Sequence, residues 1–256
     1  MGLPKATHFY KLFFGILNPE MSQAEQPGEF RRARYFGETS PTDLRDLERN
    51  AARANADQLA KAASYLEQAF RDLKTAWFGG WALRLRGSRR ETHDLDFLVL
   101  ISSVVKVRAV LAQYSWAILA FYETSGGIQE RMFVDIDEGG QVVGVDIILS
   151  GELDTPDLGE TESYESIPPA FQTPQGSRVN VIHITWQFET KLIAWFGRRK
   201  HSDLLDLEFL LLRYGDEIVK WSQFLDIGKR RTFFEIYSAS SEDKVMCEAI
   251  KKTLSL

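Results

Sequence analysis

The chain has 256 residues, 44% hydrophobic and 26% charged, which suits a soluble globular protein of one large domain or two modest ones. Its net charge of −5 supplies no overall attraction to polyanions, so any nucleic-acid contact must come from a local basic patch. A single cysteine, Cys247, excludes an internal disulfide framework, and four scattered histidines (His8, His93, His183, His201) do not make a zinc site.

No run approaches the ~20 apolar residues of a membrane-spanning helix. The stretch Phe9–Leu17 (FYKLFFGIL) is too short to span, has Pro4 and His8 upstream, and is followed by no small-x-small cleavage site. Ala6 stands where an N-myristoylation signal carries Ser or Thr. The expected location is cytoplasmic. Residues 1–41, with Pro4, Pro19, Pro27-Gly28 and the basic Arg31, Arg32 and Arg34, read as an irregular N-terminal arm.

Ser40-Pro41 is a helix start, and helical periodicity runs on to Leu73 through Leu59, Ala62, Ala63, Leu66, Ala69 and Phe70, with Asn55 a point where it divides in two. Trp77–Leu100 reads as a strand, a Gly-Gly turn, a helix, a basic loop and a second strand. Ser102 or Ser103 then caps a helix through Val104–Leu111, and Trp116–Tyr122 is apolar enough for a strand. Ile128–Ile136 and Gln141–Leu149 are β-rich runs around a turn signal, Asp137-Glu138-Gly139-Gly140. Residues 150–176 are acidic and rich in Pro and Gly, a long surface loop that serves as a linker or as an active-site cover. Arg178–Ile184 is a further strand. Helices follow from a Thr185 cap to Phe196, from Ser202 to Tyr214 and from Asp216 to Leu225, with two shorter ones after. The fold class is α+β: a mixed-sheet core over residues 42–185 flanked by helices, and a helical C-terminal subdomain over residues 186–256.

Asp94 and Asp96 open the second strand of the Trp77–Leu100 unit. Residues i and i+2 of a strand share a face and lie roughly 6.6 Å apart along it. Two hard oxygen donors so placed suit a shared divalent metal, while Leu95 and Phe97 turn to a core. A further carboxylate, Asp146, is set in the apolar run Val142–Leu149, where a charge is costly unless paired or metal-bound. Asp135 competes for that role, although Asp137 and Glu138 follow it at once. Gly79 and Gly80 let the backbone approach a phosphate at a helix start, and Arg86, Ser88, Arg89 and Arg90 add donors. His93 points away from the Asp94 face. An isolated Asp-x-Asp also occurs in sugar-nucleotide glycosyltransferases, but there the apolar strand leads into the motif, whereas here Phe97–Ile101 follows it.

Phe78-Gly79-Gly80 followed by Asp94-Leu95-Asp96-Phe97 resembles the signature of the nucleotidyltransferase-fold (polymerase β-like) superfamily. The segment GGWALRLRGSRRETHDLDFLV is similar to AbiE-type toxins and minimal nucleotidyltransferases, in which a short basic loop ends in Thr, here Thr92, before the metal-binding strand. A second block, Glu189–Ala194 through Arg198 to Asp203–Leu207, resembles that family's Lys-bearing helix and the helix after it. Two positions depart: Gly-Gly replaces Gly-Ser, and Ser202 replaces the Arg before Asp203. The resemblance implies a metal-dependent enzyme that moves a nucleoside monophosphate from a nucleoside triphosphate (ATP or another) to an acceptor and releases pyrophosphate. It implies Mg²⁺ or Mn²⁺ on Asp94, Asp96 and Asp146, the last acting as general base or shared ligand. It further implies nucleotide contacts from Gly79, Gly80, Arg86, Ser88, Arg89, Arg90, Thr92, Lys191 and Asp203. By spacing alone, Lys191 equally snorkels over a core edge, and Asp203 and Asp206 equally pair with Arg198, Arg199 or Arg213. The acceptor, whether a small molecule, a protein or an RNA end, stays open. The alternative is a catalytically inactive nucleotide-binding or interaction protein of the same fold, against which the Asp94 and Asp96 pair argues.

Overall fold

Ser40 accepts a hydrogen bond from the Asp43 amide, and Pro41 sits where a helix has no use for an N–H, so the first helix begins there. Asn55 breaks the long helical stretch because its side chain caps Asp57 and Gln58 while the Gln58 side chain caps back, a capping box that starts a second helix. The computed structural model describes residues 35–124, 127–137, 140–171 and 178–256. The arm expected before residue 35 and the Glu138-Gly139 turn lie outside the described residues.

The first elements in chain order are β1 (Tyr35–Glu38), α1 (Pro41–Ala51), α2 (Ala56–Ala69), β2 (Thr75–Phe78), α3 (Gly79–Leu85) and β3 (Asp94–Val99). There follow α4 (Val104–Leu111), β4 (Ala117–Thr124), β5 (Gly127–Asp135), β6 (Val142–Leu149), β7 (Tyr164–Ile167) and β8 (Val179–Ile182). The chain ends in α5 (Ile184–Arg198), α6 (His201–Ile218), a 3-10 turn at Ser222–Phe224, α7 (Ile227–Ser240) and α8 (Lys244–Thr253). Among the described residues two compact units result, one from residues 35–75 with Thr92–Leu153, the other from Ala76–Glu91 with Asp154–Leu256.

The first unit carries strands in the order β1-β4-β5-β6-β3, with parallel pairing at β1·β4 and β3·β6 and antiparallel pairing between. Helix α2 buries Leu59, Ala62, Ala63 and Leu66, and Phe70 beyond it meets Phe97 of β3 with ring centroids 5.7 Å apart. Helix α1 buries Leu44 and Ala51 against Ile118, Phe133 and Val142. A Cβ on Gly144 of β6 would lie 3.7 Å from the Ala51 Cβ, so α1 covers the face of β6 that Gly144 and Asp146 share.

The second unit carries β2-β8-β7, parallel then antiparallel, and the four helices α5–α8. Phe188, Leu192, Trp195, Leu207, Leu210, Phe233 and Ile250 make its core, joined by Leu83 of α3. Burying each such side chain contributes roughly 1.5–3 kcal/mol. The two units are therefore both mixed sheets with helices on them, an α+β fold.

Four local expectations change. Tyr35–Glu38 is a strand, not the end of an irregular arm, because its backbone pairs in parallel with Ile118–Phe121. Tyr164–Ile167 is an edge strand inside the expected loop, held by antiparallel pairing to β8. Helix α5 starts two residues earlier, with His183 rather than Thr185 as the cap. Helix α6 runs through Tyr214, which takes a non-helical φ of −126° and ψ of 20°, and the expected third helix shrinks to the 3-10 turn. No helix among the described residues is long and apolar enough to cross a membrane.

Arg230, buried in α7, donates to the carbonyls of Leu225 (3.2 Å), Leu254 (2.5 Å) and Ser255 (3.3 Å), so it closes the chain's final turn. Arg230→Met keeps the stem but strands those carbonyls, at about 1–3 kcal/mol for each one left unpaired and dry. The urea midpoint should fall with the slope unchanged. An unaltered midpoint means that water replaces the guanidinium.

Candidate active site

Strands β3 and β6 pair in parallel with Asp96 opposite Asp146 and Asp94 opposite Gly144. Paired residues on neighbouring strands share a face and lie ~4.8 Å apart, so Asp94, Asp96 and Asp146 form one acidic patch. Leu95 and Phe97 are buried on the opposite face. Asp94 is exposed, while Asp96 and Asp146 are half-buried. The buried Thr92 donates from Oγ1 to Asp94 Oδ1 at 2.9 Å and so orients that carboxylate. Arg131 Nη1 lies 3.5 Å from Asp146 Oδ1, and its Nε 3.9 Å from Glu48. Burial pushes the Asp146 carboxyl above the usual range, Arg131 pulls it back, and the negative charge of Asp94 pushes it up again.

Asp135 sits apart from this patch. It is buried opposite Val142 at the hairpin end, where its Oδ1 accepts the Asp137 amide at 3.2 Å. His93 donates from Nδ1 to the Ala54 carbonyl at 3.0 Å. Among the described residues, no three His, Cys, Asp or Glu side chains converge as a ready-made metal cage. The donor chemistry nevertheless suits Mg²⁺, which takes one or two carboxylates and fills its remaining positions with water and substrate phosphates.

The second unit holds the basic residues. Gly79 takes φ 62°, a left-handed value that a side chain resists, and starts α3 directly after the extended Phe78. Its carbonyl accepts Nε2 of the fully buried Gln187 at 3.2 Å, and Gly80 beside it is also buried. Arg86 keeps only 2% of its side-chain exposure. It donates to Glu165 Oε1 (2.6 Å) and to the Ile182 carbonyl (2.9 Å), and lies 5.5 Å from the Tyr214 ring centroid. Ser88 is buried and accepts the Arg90 amide at 3.3 Å, whereas Arg89 is exposed.

Arg90 forks onto Asp206, Nε to Oδ1 at 2.5 Å and Nη2 to Oδ2 at 3.0 Å, and its Nη1 donates to the Glu91 carbonyl at 2.7 Å. Lys191 Nζ lies 2.7 Å from Asp206 Oδ2 and 3.9 Å from Asp203 Oδ1. Arg198 forks onto Asp203 at 2.6 and 2.7 Å. Arg90, Lys191 and Asp203 are thus brought together, and Asp206 stands at the centre of the cluster. Sequence reasoning gave Asp206 only the ordinary partners Arg198, Arg199 or Arg213. Arg199 instead lies over the Trp195 ring at 4.1 Å from its centroid. The available signal was a pair of charges three residues apart in a leucine-rich helix, which cannot be buried without counter-ions.

A family model described as the nucleotidyl transferase AbiEii toxin of type IV toxin–antitoxin systems matches residues 66–250. No functionally curated protein matches the chain. Among solved structures, an antigenic nucleotidyltransferase-like protein from Paracoccidioides brasiliensis superposes with a TM-score of 0.52 at 16% identity, covering 77% of this chain and 94% of its own. JHP933 from Helicobacter pylori gives a TM-score of 0.40 at 18% identity, covering 84% and 90%. The first of these shares the fold of this chain.

Crowding of three carboxylates has a measurable effect on stability. The Arg131–Asp146 pair keeps 44% and 41% side-chain exposure, so it is worth only about 0–1 kcal/mol and does not offset a half-buried charge beside Asp94. Asp146→Asn should therefore raise the thermal midpoint of metal-free protein by about 2–4 °C per kcal/mol relieved. Calorimetry in the presence of a chelator checks this, and a lowered midpoint would mean that the Arg131 contact dominates.

Proposed function

This chain belongs to the AbiEii nucleotidyltransferase toxin family, and from that premise we propose that it moves a nucleoside monophosphate from a nucleoside triphosphate to an acceptor hydroxyl, with a divalent metal and release of pyrophosphate. The observation that carries the reading is the β3·β6 register, which sets Asp146 beside Asp96 and leaves Asp94 one step along. Three carboxylates on one strand face repel one another, and a divalent cation among them would relieve that repulsion.

Asp94 and Asp96 would hold Mg²⁺ or Mn²⁺, with Asp146 as a shared ligand or as the base. When bound there, the metal would supply positive charge to offset that of the reacting phosphates. Thr92 fixes the attitude of Asp94. Asp146, with its carboxyl held above the usual range, suits accepting the proton of the acceptor hydroxyl. The new bond joins the acceptor oxygen to the α-phosphorus, and the bond to the β-phosphate oxygen breaks. The displaced pyrophosphate keeps the electron pair.

Within the second unit, Arg89, Arg90 and Lys191 are the cations assigned to the triphosphate. Ser88 and the Gly79-Gly80 backbone, held by Gln187, would form the floor beneath it. Arg86 is committed to Glu165 and Ile182, so its task is to hold the loop rather than to touch substrate. Asp203 acts through Arg198 and Lys191. ATP is the reference donor and the cytoplasm the setting in which it is abundant. The acceptor is a small molecule, a protein side chain or an RNA end, and the exposed run Arg198–His201 offers a local basic surface for the larger ones.

The test is metal-dependent binding of each nucleoside triphosphate, followed by label transfer from the α-position to mixed acceptors. Asp94→Asn with Asp96→Asn should weaken metal affinity by more than the roughly 10–100-fold that loss of an outer-shell partner costs, and should abolish transfer. Binding and transfer equal to wild type would overturn the assignment.

A further inference from the structure

We infer that Asp206 is the positioning residue of the triphosphate subsite, holding Arg90 and Lys191 side by side so that both can serve the same phosphate chain. The inference deepens the nucleotidyltransferase reading and rests on it. Asp206 is wholly buried on α6, yet the two cations it binds come from different places, Arg90 from the loop after α3 and Lys191 from α5. Two cations so near each other repel, and the Lys191 side chain keeps only 9% exposure. The shared carboxylate of Asp206 offsets that repulsion.

The donor count shows what is left over. A guanidinium has five N–H groups, and Arg90 commits three, two to Asp206 and one to the Glu91 carbonyl. Two remain, and the Arg90 side chain retains 21% exposure. Lys191 commits one N–H at 2.7 Å, with Asp203 farther off at 3.9 Å. Arg90 and Lys191, two cations on the single carboxylate of Asp206, therefore keep donors that it does not take up. A polyphosphate chain supplies the matching acceptors, and a nucleoside without phosphates does not.

Asp206→Asn keeps the shape and removes the charge. Three probes separate the roles by calorimetry: a non-hydrolysable triphosphate analogue, inorganic tripolyphosphate and the plain nucleoside, each with Mg²⁺. The variant should bind the first two roughly 10–100-fold more weakly, as expected for losing charge-assisted bonds, and the nucleoside as wild type does. Arg90→Met should lose a similar factor, and the double variant should lose less than the product of the two single losses, because Asp206 acts in part through Arg90 and in part through Lys191. Equal loss for nucleoside and triphosphate, or triphosphate affinity unchanged in a folded variant, overturns the inference. Should Asp206→Asn fail to fold, Arg90→Met and Arg90→Lys carry the test: wild-type triphosphate affinity in Arg90→Met overturns it, and partial recovery in Arg90→Lys supports it. Wild-type protein that binds no triphosphate overturns the nucleotidyltransferase reading and this inference with it.

Discussion

The first unit depends on the parallel register between β3 and β6. A slip of one residue would turn Asp146 to the other face, where Val143 and Val145 are now buried beside Leu95 and Phe97. The energies show why the register holds. Two carboxylates ~5 Å apart repel by about 3 kcal/mol at an effective dielectric of 20. The four buried side chains on the reverse face contribute roughly 6–12 kcal/mol together. Hydrophobic burial on one side of the strands therefore keeps the charges crowded on the other.

The second unit reverses the arrangement. In its charge cluster the two carboxylates are buried and one cation reaches outward: Asp203 and Asp206 are shielded within α6 while Arg198 keeps 40% of its side-chain exposure. Fork-shaped Arg contacts suit this because they fix direction as well as charge. Substituting either aspartate alone leaves cations without a counter-ion, which is why the cluster behaves as one object rather than as four separate pairs.

Much of this could be read from the chain because it is local. The Ser40-Pro41 start, the Asn55 capping box and the Ser103 cap are chemistry within four residues. So is the alternation that puts Asp94 and Asp96 on one face. Partners across the chain could not be read. Arg90 and Asp206 are 116 residues apart, and a helical period says which face a charge takes but not what meets it. Arg86 and Arg90 look alike in a basic run, and only their partners Glu165 and Asp206 tell their surroundings apart. Strand β7 escaped notice because a polar edge strand, YESI, has no apolar alternation to betray it.

That strand decides what kind of motion the acidic segment can make. Residues Tyr164–Ile167 pair along their length with β8, Glu165 is bonded to the buried Arg86, the Ala170 amide donates to the Leu85 carbonyl, and Phe171 rests on Trp81 with centroids 5.3 Å apart. A hinged flap swings on a few free dihedrals in microseconds to milliseconds. Residues 164–171 have no such freedom, since releasing them means dissolving a strand and a part-buried ion pair together. Their opening is local unfolding, and their amides should exchange with solvent on the timescale of β8 rather than that of a loop.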